Sequence, residues 1–129
     1  MGAWSIKQIE SALSRPLPQQ LLGSKPRKNK KTGETVHLPY VPWHQANRVL
    51  SKYAPGWQGR VTDTKQIGDE LVLTYALTIP TSEGDVTREA TGSEKLNCGS
   101  YGETAANAES QAFRRAAARF GLGLYLYDK

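Results

Sequence analysis

The sequence predicts an α+β domain: a three-stranded antiparallel sheet and a basic β-hairpin, packed by a long C-terminal helix, with two shorter helices nearer the N-terminus. Three observations predict it. Leu71 to Pro80 alternates Leu71, Leu73, Tyr75, Leu77 and Ile79 against Val72, Thr74, Ala76 and Thr78, the period of a strand with one buried face. Ala105, Ala108, Ala112, Phe113, Ala116 and Phe120 fall on one side at helical spacing, which gives a long helix a face to lay on that sheet. Short turns at Gly68-Asp69 and Ser82-Glu83-Gly84-Asp85 join the central strand to its neighbours as hairpins, so the sheet is antiparallel.

Taken in order, Trp4 to Arg15 reads as a short amphipathic helix. Ser5 and Gln8 have capping-box spacing, Ile6, Ile9 and Leu13 share a face, and Pro16 and Pro18 end it. Three aliphatics do not hold a helix alone, so it must dock. Leu21 to Pro39 is a hairpin or a long loop. Its centre carries Lys25, Arg27, Lys28, Lys30 and Lys31. A solvated turn, a phosphate-contacting finger and a nuclear localisation signal all fit that run. Pro42 to Tyr53 is a second helix, with Trp43, Ala46, Val49, Leu50 and Tyr53 as core and His44, Arg48 and Lys52 in a row on the other side. That row is either a wet face or, at Arg48 and Lys52, a binding face. Ala54-Pro55-Gly56-Trp57 turns the chain into strands Gly59 to Ile67, Leu71 to Pro80, and Val86 to Leu96.

Asn97 to Gly102 links sheet to helix, with Ser100 as the expected N-cap and Glu103 at capping-box spacing. This glycine-containing turn is either a plain connection or a phosphate cradle. Gly121 sits where a helix C-cap belongs. Arg114, Arg115 and Arg119 crowd the helix end, with Arg115 and Arg119 along one edge of the apolar stripe and a cation suited to the dipole there. Glu109 interrupts the pattern by projecting toward the apolar side, against an arginine or a partner chain. The small-residue face lets another backbone approach closely. With the sheet edges, it is a candidate contact between copies.

Composition bounds the function. The 129 residues form one domain, 1–129, in which 1–20 hold the first helix and a Pro-rich turn and 21–129 the core. An apolar share of 38% supports a folded core, and a net charge of +5 favours a polyanionic partner. Cys98 is the single cysteine, so no internal disulfide forms and a reducing compartment fits. The N-terminus has no signal-peptide pattern and no apolar run reaches membrane-span length, which gives the expectation of a soluble, cytoplasmic, nucleoid-associated protein. No G-x-x-x-x-G-K-[ST] occurs, so no ATP use is expected. His37, His44 and Cys98 do not make a metal set, and Asp63, Asp69, Glu70, Glu83 and Asp85 lie at strand ends and turns without forming an acid/base pair. No enzyme, no metal and no cofactor is expected.

The string Ala112-Phe113-Arg114-Arg115-Ala116-x3-Phe120-Gly121-Leu122-Gly123-x-Tyr125-Leu126-Tyr127 closely resembles the end of the core domain in the Rad-fifty-two family of single-strand annealing proteins, nearest its bacterial and phage branches. Tyr40 to Trp57 adds an aromatic, a helix and a Pro-Gly-Trp turn. The resemblance runs from about Leu21 to Asp128. It implies ATP-independent binding and annealing of single-stranded DNA in recombination and repair, by a homo-oligomeric ring or filament that holds the DNA backbone in a basic groove. It also implies partners such as a recombinase or a single-strand-binding protein. The family's basic pair falls on Arg114 and Arg115. Its next basic position falls on Ala118, with Arg119 one place beyond. Arg48, with Lys52, stands in for a basic residue on the earlier helix, and Lys25 to Lys31 resembles a hairpin overhanging the groove. The competing reading is a monomeric double-stranded RNA-binding module, which also runs helix, three strands, helix. The extra helix after Pro42 and the Leu122–Tyr127 tail count against it.

Overall fold

The computed structural model describes residues 4–97 and 101–127. Its elements run α1 (Ile6–Leu13), a 3₁₀ turn (Gln19–Leu21), β1 (Gly23–Lys28), β2 (Thr35–Tyr40), α2 (Trp43–Tyr53), β3 (Gln58–Ile67), β4 (Glu70–Thr81), β5 (Gly84–Lys95), α3 (Tyr101–Ala118) and a last 3₁₀ turn (Leu124–Leu126). The α+β architecture predicted from the sequence is present. β1 and β2 form a separate two-stranded hairpin, and the larger sheet has the order β3-β4-β5, antiparallel throughout. Cys98 and the expected Ser100 cap lie outside the described residues.

α1 begins where its capping box dictates. The Gln8 backbone N–H donates to the Ser5 hydroxyl at 3.2 Å, and the Ser5 N–H donates to the Gln8 side-chain oxygen at 2.8 Å. The helix is therefore shorter than Trp4 to Arg15. Its Ile9, Ala12 and Leu13 are buried, and Ile9 and Leu13 join the main core with Leu50, Leu77, Ile79, Phe113 and Phe120.

The strand alternation holds: Leu71, Leu73, Tyr75, Leu77 and Ile79 are all buried. Ala76, on the opposite face, is buried too, being small between the longer cross-strand residues Arg60 and Glu89. α3 lies on β4 and β5, and the contact closes at Gly92. A Cβ there would overlap the Ala108 carbonyl oxygen and the Ala112 backbone nitrogen. The small-residue face of α3 is thus consumed inside the chain, where β5 supplies the approaching backbone, and is not left for a second copy. β3 is exposed at every position, and among the described residues its outer edge is unpaired.

α3 ends in a Schellman arrangement. Gly121 takes φ +109°, its N–H donates to the Ala118 carbonyl at 2.8 Å, and the Leu122 N–H donates to the Ala117 carbonyl at 3.2 Å. One expected core residue is not in the core: Trp43 is 55% exposed and borders an open cleft with Asn47, Trp57 and Phe113, while Ala46 in the same turn is fully buried. Val49 and Tyr53 are partly buried against the core, and Ala46 and Leu50 fully so.

Gly92→Ala should destabilise the domain by about 1–3 kcal/mol, because backbone on both sides leaves the methyl nowhere to go. Chemical denaturation checks this; an unchanged midpoint would show that α3 does not sit this close to β5.

Candidate nucleic-acid interface

The hairpin register sets the first wall of the site. Gly23 pairs with Tyr40, Lys25 with Leu38 and Arg27 with Val36, so strand alternation puts Lys25, Arg27, Leu38 and Tyr40 on one face. Gly23 is needed there, since a Cβ would overlap the Tyr40 ring that folds across it. The second wall is the C-terminal half of α3, where Gln111 and Arg115 lie one turn apart with Arg114 beside them. Between the walls is a cavity of about 660 Å³, lined by Lys25, Arg27, Tyr40, Gln111, Arg114 and Arg115 over a floor that includes Val41 and Leu122.

Tyr40 is the shared partner of two cations. Lys25 Nζ lies 4.7 Å and the Arg114 guanidinium 5.1 Å from its ring centroid. Each such contact contributes on the order of 0.5–1 kcal/mol near a surface. The Arg114 Nε–H also donates to the Ser110 carbonyl at 3.2 Å, which leaves the guanidinium's other N–H groups toward the groove. Burial first, and then the charge of Arg114, push the Lys25 ammonium below its ordinary pKa of 10.5; Glu94 acts weakly the other way. Among the described residues the ion pairs are Lys65–Asp63 and Arg88–Glu10, and neither involves a groove cation. The groove therefore concentrates positive charge, and no ion pair among the described residues neutralises it.

The other predicted site residues are distributed around it. Lys28, Lys30 and Lys31 are exposed at the hairpin tip and do not line the groove. That tip is held by the Asn29 N–H donating to the Glu34 carbonyl and the Gly33 N–H to the Asn29 carbonyl, both at 2.7 Å, with Gly33 at φ +76°. Arg119 borders a second cavity of about 620 Å³ with Arg88, Glu89, Arg115, Ala118, Leu124 and Tyr127. Arg48 and Lys52 are exposed on α2 and line neither cavity, Lys52 lying 5.2 Å from the Tyr53 ring centroid. Glu109 is exposed and does not pair with an arginine among the described residues. It borders an aromatic cleft with Trp43, Asn47, Trp57, Tyr75 and Phe113, in which burial and then Glu109 push the Tyr75 phenol upward.

Sequence reasoning left Tyr40, Gln111 and Tyr127 out of the site. Gln111 was recoverable, since it precedes Arg115 by one helical turn. Tyr40 needed the hairpin register, and Tyr127 the path of the tail. Among the described residues, no three metal-ligating side chains cluster, and no helix is long and apolar enough to cross a membrane.

A basic groove walled by a hairpin and a helix end is suited to a polyanion. The model of the Rad52/22 family of double-strand break repair proteins matches residues 5–129, so the chain belongs to that family. It is similar to "DNA repair RAD52-like protein 1, mitochondrial" of Arabidopsis thaliana, with 36% identity over 92% of this chain and 72% of the relative. It is also similar to "DNA repair RAD52-like protein 2, chloroplastic" of the same plant, with 48% identity over 70% of this chain and 46% of the relative. The chain thus spans under half the length of the second relative. These relatives are plant proteins, so the bacterial and phage branch read from the sequence is replaced by the broader family. Membership also sets aside the double-stranded RNA-binding module.

The Lys25 environment has a pH signature. Its depressed pKa means that the ammonium is lost at a lower pH than a free lysine's, while a bound phosphate favours the charged form. Affinity for a single-stranded oligonucleotide should therefore decline on the alkaline side below pH 10.5, and Lys25→Arg should flatten that decline. Titrating affinity against pH for both proteins checks it; coincident curves would remove Lys25 from the contact.

Proposed function

We propose that this chain is a non-enzymatic, ATP-independent single-stranded DNA-binding protein that anneals complementary strands in recombination and repair, working as a homo-oligomeric ring or filament. The observation that carries the reading is the cation set Lys25, Arg27, Arg114 and Arg115, gathered in one groove with Tyr40 and in no ion pair among the described residues. Arginine and lysine contacts to phosphate give sequence-independent, salt-sensitive affinity, which annealing requires because the protein must accept any strand. Among the described residues two tyrosines line the groove, and Tyr40 is already engaged by Lys25 and Arg114, so there is no run of free aromatic faces to draw bases into a stacking platform and their pairing edges stay available. Base pairing itself supplies the driving force. The protein's part is to hold extended strands and raise their local concentration.

Family membership and the relatives' names as DNA repair proteins support this reading. Assembly is supported by the bare edge of β3 and by exposed Trp43, Val61 and Ile67 on the same chain, which a neighbouring copy would cover. Repeating a modest groove around a ring raises avidity without new contacts. The tip lysines Lys28, Lys30 and Lys31 overhang the groove and serve as a second, looser set of phosphate contacts. Arg48 and Lys52 are left as an accessory basic face on α2. The working compartment is one that holds DNA as a nucleoid, consistent with the organellar names of both relatives. A recombinase or a single-strand-binding protein is the expected partner class.

Mass photometry with and without a single-stranded oligonucleotide, joined to an annealing assay lacking nucleotide, tests the whole reading. A large closed oligomer that accelerates annealing is expected, and a monomer that ignores single strands would overturn it. Arg114→Gln with Arg115→Gln should weaken binding by at least tenfold, at about 1.5–3 kcal/mol per charge-assisted bond lost, while the oligomer persists. Neutralising Lys28, Lys30 and Lys31 should lower the salt slope by up to about one unit per lysine. An unaltered slope would take the hairpin tip out of the site.

A further inference from the structure

Glu109 and Arg119 are both exposed, and neither is in an ion pair among the described residues. We infer that they pair with each other between copies of this chain: the cleft holding Glu109 on one copy receives Arg119 of the next, head to tail. The inference rests on the assembly part of the proposed function and names a contact that builds it.

The two residues sit on opposite flanks. At about 100° per residue, Ala106, Glu109 and Phe113 share one flank of α3, and Gln111 and Arg115 lie roughly half a turn away. Glu109 and Phe113 border a cleft of about 340 Å³ with Trp43, Trp57 and Tyr75. That cleft is on the β3 side, since Tyr75 pairs with Val61 and Trp57 directly precedes β3. On the other flank, the Gln111 side-chain oxygen accepts the Ser93 N–H of β5 at 2.7 Å. The Arg119 N–H donates to the Arg115 carbonyl at 3.2 Å, so Arg119 continues this flank by one turn. Its own carbonyl accepts from Arg88 of β5 at 2.7 Å. The acidic site therefore faces one edge of the sheet and the basic site the other. Such sites meet between successive copies, and a heterologous contact of this kind closes into a ring or extends into a filament.

Their chemistry is complementary. The cleft sets a carboxylate among aromatic rings. Trp57 stacks on Phe113 with centroids 5.7 Å apart, Tyr75 meets Phe113 edge-on at 5.5 Å, and Trp43 is 55% exposed. Burial and then Glu109 push the Tyr75 phenol above its ordinary pKa of 10.0, so the field of the carboxylate reaches into the cleft. Aromatic faces with a carboxylate select a cation, and a planar guanidinium suits both better than an ammonium does. Arg119 offers that group beside Leu124 and Tyr127, which are 51% and 57% exposed. Each half thus sets one exposed charge against exposed apolar surface. Joined, the apolar rims exclude water from the ion pair, where it is worth most.

The cleft also has room beside it. α3 lies on β4 and β5 and leaves β3 exposed at every position. Val61, opposite Tyr75, is 39% exposed, so uncovered sheet borders the cleft on the side that a second copy approaches.

Charge reversal tests the pair in trans. Glu109→Arg and Arg119→Glu would be measured by mass photometry without nucleic acid: singly, combined in one chain, and mixed in equal amounts. Each single reversal sets like charges together at every contact, so the concentration for half-assembly should rise at least about tenfold. The double reversal should assemble as the wild type does. The mixture should also recover large assemblies, because each reversed surface meets its complement on the other variant; a folding defect would not be cured by mixing. Wild-type-like assembly by either single reversal overturns the inference and leaves the assembly reading standing. Singles that dissociate and are restored neither by combination nor by mixing show that the two residues have other partners, which overturns it as well. If Arg119→Glu weakens oligothymidylate binding while the oligomer persists, Arg119 belongs to the strand and the inference falls. A wild-type protein that stays monomeric would sink the assembly reading together with this one.

Discussion

The rest of the structure depends on one backbone approach, that of β5 onto α3 at Gly92. The alanine face of α3 lets the helix sink onto the sheet, and the missing side chain of Gly92 accepts it. Once that contact fixes the rotation of α3, the other faces of the helix are fixed as well. Phe113 is turned toward Tyr75 and Trp57, with ring centroids 5.5 and 5.7 Å apart respectively. Gln111, Arg114 and Arg115 are turned toward the hairpin. A register change on this helix would move the cations with the core, because a helix rotates as a rigid body.

The N-terminal segment is tied into the same arrangement. Arg88, on the helix-facing side of β5, joins Glu10 of α1 to the Arg119 carbonyl just past the end of α3. The Leu17 N–H donates to the Tyr125 hydroxyl at 2.9 Å, which fastens the Pro-rich turn to the tail. That tail supplies Leu122 and Gly123 to the groove floor, and Gly123, at φ +71°, lies close against Val41. Residues 4–20 are therefore tied to the elements that build the groove. A partly exposed ion pair is worth little in isolation, about 0–1 kcal/mol. Its importance here is geometric, since it closes a ring of contacts through α1, β5 and the turn after α3.

The elements were legible wherever one physical signal dominated. The alternation of Leu71 to Ile79 and the alanine stripe of α3 are strong because burial enforces a period over many residues. The Gly121 stop was equally clear, as few residues adopt φ +109° without strain. Trp43 misled because periodicity counts a large apolar residue as core even where it borders an open cleft. The site was legible as a list of cations but not as a place. Lys25 and Arg114 are separated by most of the chain, and only the hairpin register and the rotation of α3 bring both to Tyr40. The α2 row looked equivalent to the α3 row on spacing, yet Arg48 and Lys52 reach neither cavity. Tertiary rotation decides that, and no local pattern encodes it.

What distinguishes the groove is the sorting of partners among like-charged residues. Arg88 faces the protein and has a carboxylate at 2.7 Å. Lys25 and Arg114 face the groove and share an aromatic ring instead. A carboxylate in Tyr40's place would neutralise the pair, but it would also compete with any incoming phosphate. The ring holds both cations in position while leaving their N–H donors available. Mutual repulsion between two nearby cations disfavours the empty groove and is relieved when an anion enters. The same net charge of +5, spread over paired surface residues, would give solubility and little else. Placed on one tyrosine between a hairpin and a helix end, part of it becomes the preorganised track that we propose for a polyanion.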